Sequence, residues 1–249
     1  MAGFEFVQVE CNGPVAELVL NRPARKNALT GPLVAELSAA VGELAADDAV
    51  RVVLVRGAGG AFCSGLDLKE FNADPRPEWV SAFQGGWRGL HQQLFEFPKV
   101  VVCALEGYAI NAGSALVLAG DLIVAGRGAF LQVGEVRQGR PAPMNLAWLR
   151  IRFGDALARR VALIGDRLYG PELERLGLVH AVVDDERVLA SARELAASLA
   201  ELPVEGIATT KAILRALGLP PGADSPFAVA AAGARAGGVR SGPIPRVAE

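Results

Sequence analysis

The chain carries AFCSGLDL at residues 61–68 and EGYAINAGSAL at residues 106–116. Each stretch places a turn of small residues directly after a β-branched run and before a helical pattern. Turns of this kind present backbone N–H groups with little side chain in the way. Two such groups that converge form an oxyanion hole, which stabilises negative charge on a carbonyl oxygen. The two stretches therefore predict a site built from backbone amides.

Strands and helices alternate around these turns. Apolar runs, which predict buried strands, lie at residues 15–20, 50–55, 100–105 and 121–125. Helical patterns lie at 77–95, 112–119, 155–163, 187–200 and 204–216, and Thr30 has the character of a helix N-cap. Alternation followed by a mainly helical end predicts an α/β fold.

The composition is that of an ordinary globular protein with a sizeable core. Of the 249 residues, 51% are hydrophobic and 21% are charged. The formal net charge of −2 argues against a nucleic-acid partner, because proteins that bind nucleic acid carry a basic excess. The cysteines, Cys11, Cys63 and Cys103, are few and odd in number, which does not suggest a disulfide framework.

The sequence also gives expectations about location and metals. It shows no secretory signal pattern, and no apolar run reaches the roughly 18 residues that indicate a membrane span. We therefore expect a cytoplasmic protein without a membrane partner. His91 and His180 are the two histidines, and no zinc-binding spacing is visible, so no metal site is predicted.

Two nucleotide-binding motifs were compared with the glycine-rich segment 57–65. A dinucleotide fingerprint would need a third glycine where Phe62 stands. A phosphate-binding P-loop has its spacing between Gly60 and Gly65, but Leu66 occupies the position of the required lysine. Both motifs are excluded, which leaves simple turns or an oxyanion hole.

The two turns, in this order and each after a buried strand, resemble the signature loops of the crotonase superfamily, the enoyl-CoA hydratase/isomerase enzymes. Further segments also resemble that family, namely NRPARKNAL at 21–29, FLQVGEV at 130–136 and the stretch from 162 to 183. The resemblance covers residues 5–217. It implies ββα turns wound into a spiral and a helical C-terminal region that builds homotrimers, often paired into hexamers.

We accordingly expect three parts. They are a crotonase-type ββα spiral core at 1–185, a helical C-terminal trimerisation region at 186–217 and an irregular tail at 218–249. The tail is rich in Gly, Pro and Ala and does not match the C-terminal helix of the family. Gly237, Gly238 and Pro243 disfavour a helix there, which predicts a partly ordered tail at the end of an alanine-rich helix.

The resemblance implies that the N–H groups of Leu66 and Ala112 bind an acyl-CoA thioester oxygen and stabilise the enolate. Relatives that hydrate double bonds use two glutamates. One of these positions is Ala115 here, which cannot transfer a proton, and the other is Glu135. Moving a double bond needs only one carboxylate, which takes a proton from one carbon and returns it to another. The pattern favours an enoyl-CoA isomerase with Glu135 as the catalytic residue.

The resemblance also implies where the substrate binds. The expected substrate-binding residues are Arg25, Lys26, Ala28, Ser64, Gly65 and Asp67. Arg25 and Lys26 suit the phosphates of coenzyme A, with a solvated turn as the equal alternative. Asp67 is also suited to capping the helix that follows it. Coenzyme A is part of the substrate, so no separate cofactor is implied.

Several alternatives remain open at this point. The reaction can be hydration or another enolate reaction that uses a second group, or the protein can bind acyl-CoA without catalysis. Outside the family pattern, Glu135 would be a surface carboxylate near Arg137 or Arg140. The loop at 139–145 departs from the family pattern, which leaves the acyl group unidentified. The aromatic residues Trp79, Phe83, Trp87 and Trp148 either line an acyl pocket or belong to the core.

Overall fold

The computed structural model describes residues 3–219, 222–238 and 243–245. The strands of this part are β1 (Val7–Asn12), β2 (Val15–Leu20), β3 (Val52–Gly57), β4 (Val100–Leu105), β5 (Tyr108–Ile110), β6 (Leu122–Gly126), β7 (Phe130–Gln132), β8 (Arg167–Tyr169) and β9 (Ala181–Val183). The α-helices are α1 (Gly31–Ala46), α2 (Leu68–Phe71), α3 (Trp79–Glu96), α4 (Ala112–Ala119), α5 (Pro143–Ile164), α6 (Gly170–Arg175), α7 (Val188–Ala200), α8 (Val204–Gly218) and α9 (Pro226–Ala236). None of these helices has both the length and the apolar character needed to cross a bilayer.

A six-stranded sheet with the order β1-β2-β3-β4-β6-β9 forms the centre of the molecule. β1 pairs antiparallel with β2, and the other neighbouring strands run parallel. A second sheet has three strands in the order β5-β7-β8. The predicted α/β class is confirmed.

The central sheet is buried on both faces. Val53 and Val55 of β3 belong to the main core, which includes side chains of α1, α3, α4 and α5. Val52 and Leu54, which alternate with them, pack with the alanines of α7 in a second cluster. Burial on both faces explains why these strands are continuous apolar runs in the sequence rather than alternating patterns.

Helix boundaries agree with the sequence where a capping residue is present. The Thr30 hydroxyl accepts a hydrogen bond from the Leu33 N–H at 3.4 Å, and α1 begins directly after it. The helix expected at 155–163 instead begins at Pro143 as part of α5. Gly154, with a φ of +83°, interrupts α5, so only the second half follows a regular helical pattern in the sequence.

Within the region predicted as a tail at 218–249, residues 226–236 form the alanine-rich helix α9. The Ser225 hydroxyl caps this helix by accepting from the Ala228 N–H at 3.2 Å. Phe227 is completely buried, and its ring centroid lies 4.9 Å from that of Trp148. Tertiary packing therefore stabilises a helix of 11 residues, which is too short to be stable alone even with an alanine-rich sequence. Residues 220–221, 239–242 and 246–249 of the predicted tail lie outside the described residues.

Candidate active site

The first turn leaves one backbone amide available. Gly65 has a φ of +88°, and a Cβ atom on it would lie 2.7 Å from the carbonyl oxygen of Ile110. Glycine is required at a position that combines this φ with so close an approach. The next residue, Leu66, donates no hydrogen bond from its N–H to any residue that the structure describes. This amide is free to bind a ligand oxygen.

The second turn provides another such amide at the beginning of α4. Asn111 precedes the helix with a φ of +53°, and Ala112 is its first residue. The N–H groups of a first helical turn have no partner within the helix. In the described part of the chain the Ala112 N–H makes no other hydrogen bond. The positive end of the helix dipole adds to the attraction for a negative oxygen.

Backbone hydrogen bonds fix the two turns against each other. The Cys63 N–H donates to the Tyr108 oxygen at 3.1 Å, and the Ile110 N–H donates to the Cys63 oxygen at 3.0 Å. A Cβ atom on Gly113 would lie only 2.5 Å from the same Cys63 oxygen. The small residues of both turns thus allow a close backbone contact, which sets the positions of the two free amides.

Glu135 is held next to the second turn by Asn111. The Gly134 N–H donates to Asn111 Oδ1 at 2.9 Å, and the Asn111 N–H donates to the Gln132 oxygen at 2.7 Å. Glu135 begins the 3-10 turn Glu135–Gln138 directly after this contact. The Asn111 side chain therefore ties the segment that carries the carboxyl group to the residue that precedes Ala112.

The carboxyl group of Glu135 is buried and only half satisfied. Its Oε2 atom is shielded from solvent and has no hydrogen-bond partner in the described part of the chain. Burial raises the pKa of Glu135 from its ordinary value of 4.5 to about 7, against hydrogen bonds from its own N–H and from Asn145 that lower it. A carboxyl group with this pKa is able both to take and to return a proton near neutral pH.

Asn145 is a site residue that the sequence did not reveal. Its Nδ2 donates to Glu135 Oε1 at 3.0 Å and to the Asn111 oxygen at 3.0 Å. The side chain is 2% exposed, and its Oδ1 has no partner among the described residues. A lone amide in the apolar segment MNLAWL was the available signal, but nothing in the sequence connected it to Glu135.

Two cavities meet at Leu66, Ala112 and Glu135, each of which lines both of them. The first, here called the α3–α9 cavity, has a volume of about 510 Å³ and is walled by residues of α3, the loop at 139–145 and α9. The second, the Ser64 cavity, has a volume of about 720 Å³ and includes Ser64 and Asn111. A thioester oxygen bound to the two amides would lie at this junction.

Ile244 also lines both cavities. Its N–H donates to Asn72 Oδ1 at 3.1 Å, and its carbonyl oxygen accepts from Asn72 Nδ2 at 3.0 Å. The Gln138 side chain donates to the Pro245 oxygen at 3.1 Å. Ile244 therefore contributes to the walls of the site, which the sequence did not suggest.

The structure pairs two of the predicted substrate-binding residues with each other. Arg25 Nη2 donates to Asp67 Oδ1 at 2.9 Å, and Asp67 also caps α2 by accepting from the Glu70 N–H at 3.3 Å. Although burial alone would raise it, these hydrogen bonds hold the pKa of the Asp67 carboxyl below its usual range. The capping role of Asp67 is confirmed, while contact of either residue with coenzyme A stays a prediction.

The other predicted binding residues lie around this ion pair. The Ser64 N–H donates to the Lys26 oxygen at 3.0 Å, which joins the loop at 21–29 to the first turn. Lys26 is exposed, and its amine has no partner among the described residues. The Ala28 oxygen accepts from Arg22 at 2.6 Å. A phosphate contact is thus open to Lys26 but requires Arg25 to share its guanidinium with Asp67.

Three of the aromatic residues belong to the core, and two of these also line the site. Phe83 and Trp87 line the α3–α9 cavity, as does Ala115. Trp148 is 1% exposed and donates from Nε1 to His91 Nδ1 at 2.9 Å, so it belongs to the core. Among residues 3–219, 222–238 and 243–245, no group of three His, Cys, Asp or Glu side chains is placed to hold a metal ion.

Comparison with known proteins agrees with this geometry. A family model described as enoyl-CoA hydratase/isomerase matches residues 10–218. The chain belongs to the enoyl-CoA hydratase/isomerase family.

Relatives in this family include enzymes with both names. The chain is 34% identical over 211 residues to the 1,2-epoxyphenylacetyl-CoA isomerase of Escherichia coli K12, which covers 83% of this chain and 80% of the relative. The crystal structure of an enoyl-CoA hydratase from Mycobacterium avium subsp. paratuberculosis K-10 superimposes with a TM-score of 0.82 at 25% identity, over 94% of this chain and 89% of that one. An enoyl-CoA hydratase from Mycobacterium smegmatis gives a TM-score of 0.76 at 31% identity, over 93% and 97% of the two chains.

These likenesses confirm the crotonase-type fold and the helical C-terminal region expected of an enoyl-CoA hydratase/isomerase family member. They are consistent with an acyl-CoA substrate, which is the kind of substrate that the family description names. They do not separate isomerase from hydratase, since relatives carry both names. The boundaries predicted at 185 and 217 stay predictions.

Proposed function

We propose that this protein moves the double bond of an enoyl-CoA thioester, with Glu135 as the single proton carrier. The observation that supports this most directly is the buried Oε2 atom of Glu135. This atom has no hydrogen-bond partner within the described residues, and Glu135 lines both cavities. Asp166 lines the Ser64 cavity but is ion-paired with Arg137. Among the described residues, Glu135 is the one carboxylate that lines both cavities.

In this proposal the thioester oxygen accepts hydrogen bonds from the Leu66 and Ala112 N–H groups. The ionised Glu135 takes a proton from C2 of a 3-enoyl thioester, and the C–H electron pair moves onto the thioester oxygen as a dienolate. The protonated Glu135 then returns the proton to C4, and the double bond forms between C2 and C3. Each donor to the developing negative charge contributes about 3–4 kcal/mol of stabilisation.

The environment of Glu135 suits both halves of this cycle. A pKa of about 7 leaves a substantial fraction ionised to begin the reaction and makes the protonated form a usable acid. Ala115, buried in the wall of the α3–α9 cavity, supplies no second acid or base. One carboxyl group that acts twice is sufficient for double-bond migration.

One observation favours hydration as a second candidate. The Oδ1 atom of Asn145 is buried with no hydrogen-bond partner from the residues that the structure describes, and Asn145 lines the same cavity as Glu135. An unsatisfied buried acceptor of this kind is able to hold a water molecule. Asn145 and Glu135 together would then orient a water molecule for addition to the double bond.

The test uses 3-hexenoyl-CoA and crotonyl-CoA with the wild type, Glu135→Gln and Glu174→Gln. Glu174 is an exposed glutamate without a side-chain partner in the described chain, and it serves as the matched control. Isomerisation raises the conjugated enoyl absorbance from 3-hexenoyl-CoA, and we expect Glu135→Gln to lower this rate by about a hundredfold or more.

Other results assign a different function. Loss of the crotonyl-CoA absorbance would show hydration, which would replace the proposed reaction. Exchange of the C2 proton of butyryl-CoA in heavy water at equal rates in the wild type and Glu135→Gln would remove Glu135 from the mechanism. Binding of acyl-CoA without exchange or turnover on either substrate would identify a non-catalytic acyl-CoA-binding protein.

We also propose that the protein assembles as a homotrimer or hexamer in the cytoplasm, with no cofactor beyond the coenzyme A of its substrate. Assembly is supported by α8, none of whose side chains is buried within the chain although several are large and apolar. Cys11, Cys63 and Cys103 are free thiols, which is consistent with a reducing compartment.

A further inference from the structure

The α3–α9 cavity combines apolar walls with positively charged side chains. Phe83, Trp87 and Met144 contribute apolar surface to it. Three arginines also line it, namely Arg88 from α3, Arg140 from the loop at 139–145 and Arg235 from α9. Glu135 is its one acidic lining residue among those described, and its raised pKa leaves it partly neutral. The cavity therefore carries a positive charge in a protein with a net charge of −2.

Arg88 differs from the other partly buried arginines of the described chain in having no hydrogen-bond or ion-pair partner there. It follows the buried Trp87 on α3 and is itself partly buried. It makes no hydrogen bond or ion pair with any residue of the described chain. By contrast, Arg25 pairs with Asp67 and Arg56 pairs with Glu17. A guanidinium that loses part of its hydration without gaining a partner is a binding group for an anion.

The position of the reacting group decides which part of the ligand reaches Arg88. The Leu66 and Ala112 amides place the thioester where the two cavities meet. The Ser64 cavity leads toward the loop expected to bind coenzyme A, so the coenzyme A arm occupies that side. The acyl chain then enters the α3–α9 cavity, between the apolar side chains of Phe83 and Trp87 and toward Arg88.

We propose that Arg88 binds an anionic oxygen group at the far end of the acyl chain, so that the preferred ligands are coenzyme A thioesters of dicarboxylic acids. The exposed Arg235 adds positive charge at the same cavity. This inference rests on the proposed function only for the orientation of the thioester. The phosphates of coenzyme A are another source of anionic oxygen, and the experiment below separates them from an acyl carboxylate.

The experiment measures binding of unreactive saturated ligands by calorimetry. The ligands are adipoyl-CoA, its methyl ester, which has a neutral end, and free coenzyme A. The proteins are the wild type, Arg88→Ala, Arg88→Lys and, as matched control, Arg187→Ala, whose side chain is exposed and lies on the 3-10 turn Asp185–Arg187.

We expect the wild type to bind adipoyl-CoA about tenfold more tightly than the methyl ester. A charge-assisted hydrogen bond in a partly buried site accounts for a difference of this size. Arg88→Ala should bind the two thioesters equally, Arg88→Lys should keep part of the preference, and Arg187→Ala should keep all of it. The preference should also weaken as salt is added.

Equal affinity of the wild type for adipoyl-CoA and its methyl ester would overturn the inference, as would an undiminished preference in Arg88→Ala. If Arg88→Ala instead weakens both thioesters and free coenzyme A by the same factor, Arg88 binds the coenzyme A phosphates. These ligands require no turnover, so the result is readable even if the isomerase assay fails. Unfolding midpoints of the variants confirm that each protein measured is folded.

Discussion

At the level of single residues, the buried carboxyl group of Glu135 links stability to pH. Folding raises its pKa from 4.5 to about 7, so the folded protein holds this proton more tightly than the unfolded chain does. The free energy of unfolding therefore falls as the pH rises from about 5 to about 8, by roughly 3 kcal/mol from this group. We expect Glu135→Gln, which does not titrate, to be more stable than the wild type at the higher pH.

Urea unfolding of both proteins across that pH range measures the difference. The wild type should lose stability relative to Glu135→Gln as the pH rises, and Glu174→Gln should follow the wild type. Parallel stability curves for the wild type and Glu135→Gln would mean that the carboxyl group is solvated in solution.

Asn145 controls which oxygen of Glu135 is available. Because its amide holds Oε1 at 3.0 Å, Oε2 is left to exchange the proton. This hydrogen bond lowers the pKa of Glu135 against the effect of burial. We expect Asn145→Ala to move the acidic limb of the kcat–pH profile to higher pH and to lower kcat by about tenfold to a hundredfold, because a misplaced base loses alignment.

The control for this change is Asn12→Ala, at an exposed position on β1. Asn145→Ser should recover part of the rate and part of the pH shift, since a hydroxyl group is still able to donate. A variant Asn145→Ala whose KM rises while the pH profile stays unchanged would assign Asn145 to substrate binding instead.

At the level of elements, glycine is required in and before the first turn for two reasons. One is a positive φ angle, and the other is the close approach of the second turn. Gly60 and Gly65 both have positive φ angles, +75° and +88°. A Cβ atom on Gly60 meets nothing within 4 Å, whereas one on Gly65 meets the Ile110 oxygen at 2.7 Å. We expect Gly60→Ala to cost about 1 kcal/mol from the backbone conformation alone, and Gly65→Ala to cost about 3 kcal/mol and most of the activity.

Urea unfolding and the isomerase assay on both variants separate the cost of the strained backbone conformation from the effect of moving the second turn. The larger loss in Gly65→Ala arises because the second turn must move and take the Ala112 amide with it. Equal effects of the two substitutions would mean that the spacing of the turns is not what fixes the oxyanion hole.

The sequence predicted the elements whose signals are local. The strand expected at 100–105 is β4, because every residue of that run is buried and apolar. The helix expected at 155–163 is the second half of α5, which Gly154 divides, and α9 is stabilised by Phe227 packing against residues far away in the chain. Contacts of this kind are not visible in a window of sequence.

The same distinction holds for the site. Leu66, Ala112 and Glu135 lie on motifs that can be recognised by type and order, and the structure brings all three to one junction. The pairing of Arg25 with Asp67 joins side chains 42 positions apart, and nothing local to either residue indicates it. Asn145 was not predicted for the same reason, because its function depends on the position of Glu135 in space.

At the level of the whole molecule, α8 presents apolar side chains that the rest of the described chain does not cover. Ile213, Leu214 and Leu217 are 56%, 62% and 79% exposed. An amphipathic helix normally buries one face, so an uncovered face of this kind indicates an interface. α8 lies in the region where the resemblance implies contacts between subunits.

We expect Leu217→Glu combined with Ile213→Glu to convert the proposed assembly to monomers, because burying a carboxylate in an apolar interface costs more free energy than the contact supplies. Light scattering after size exclusion measures the mass of the 26.0 kDa chain and its assemblies. The control Gln8→Glu adds one charge at an exposed position of β1 and should leave the mass unchanged.

A wild type that is already monomeric would show that this face has another occupant. A double variant that keeps the mass of a trimer would place the subunit contacts on a different surface.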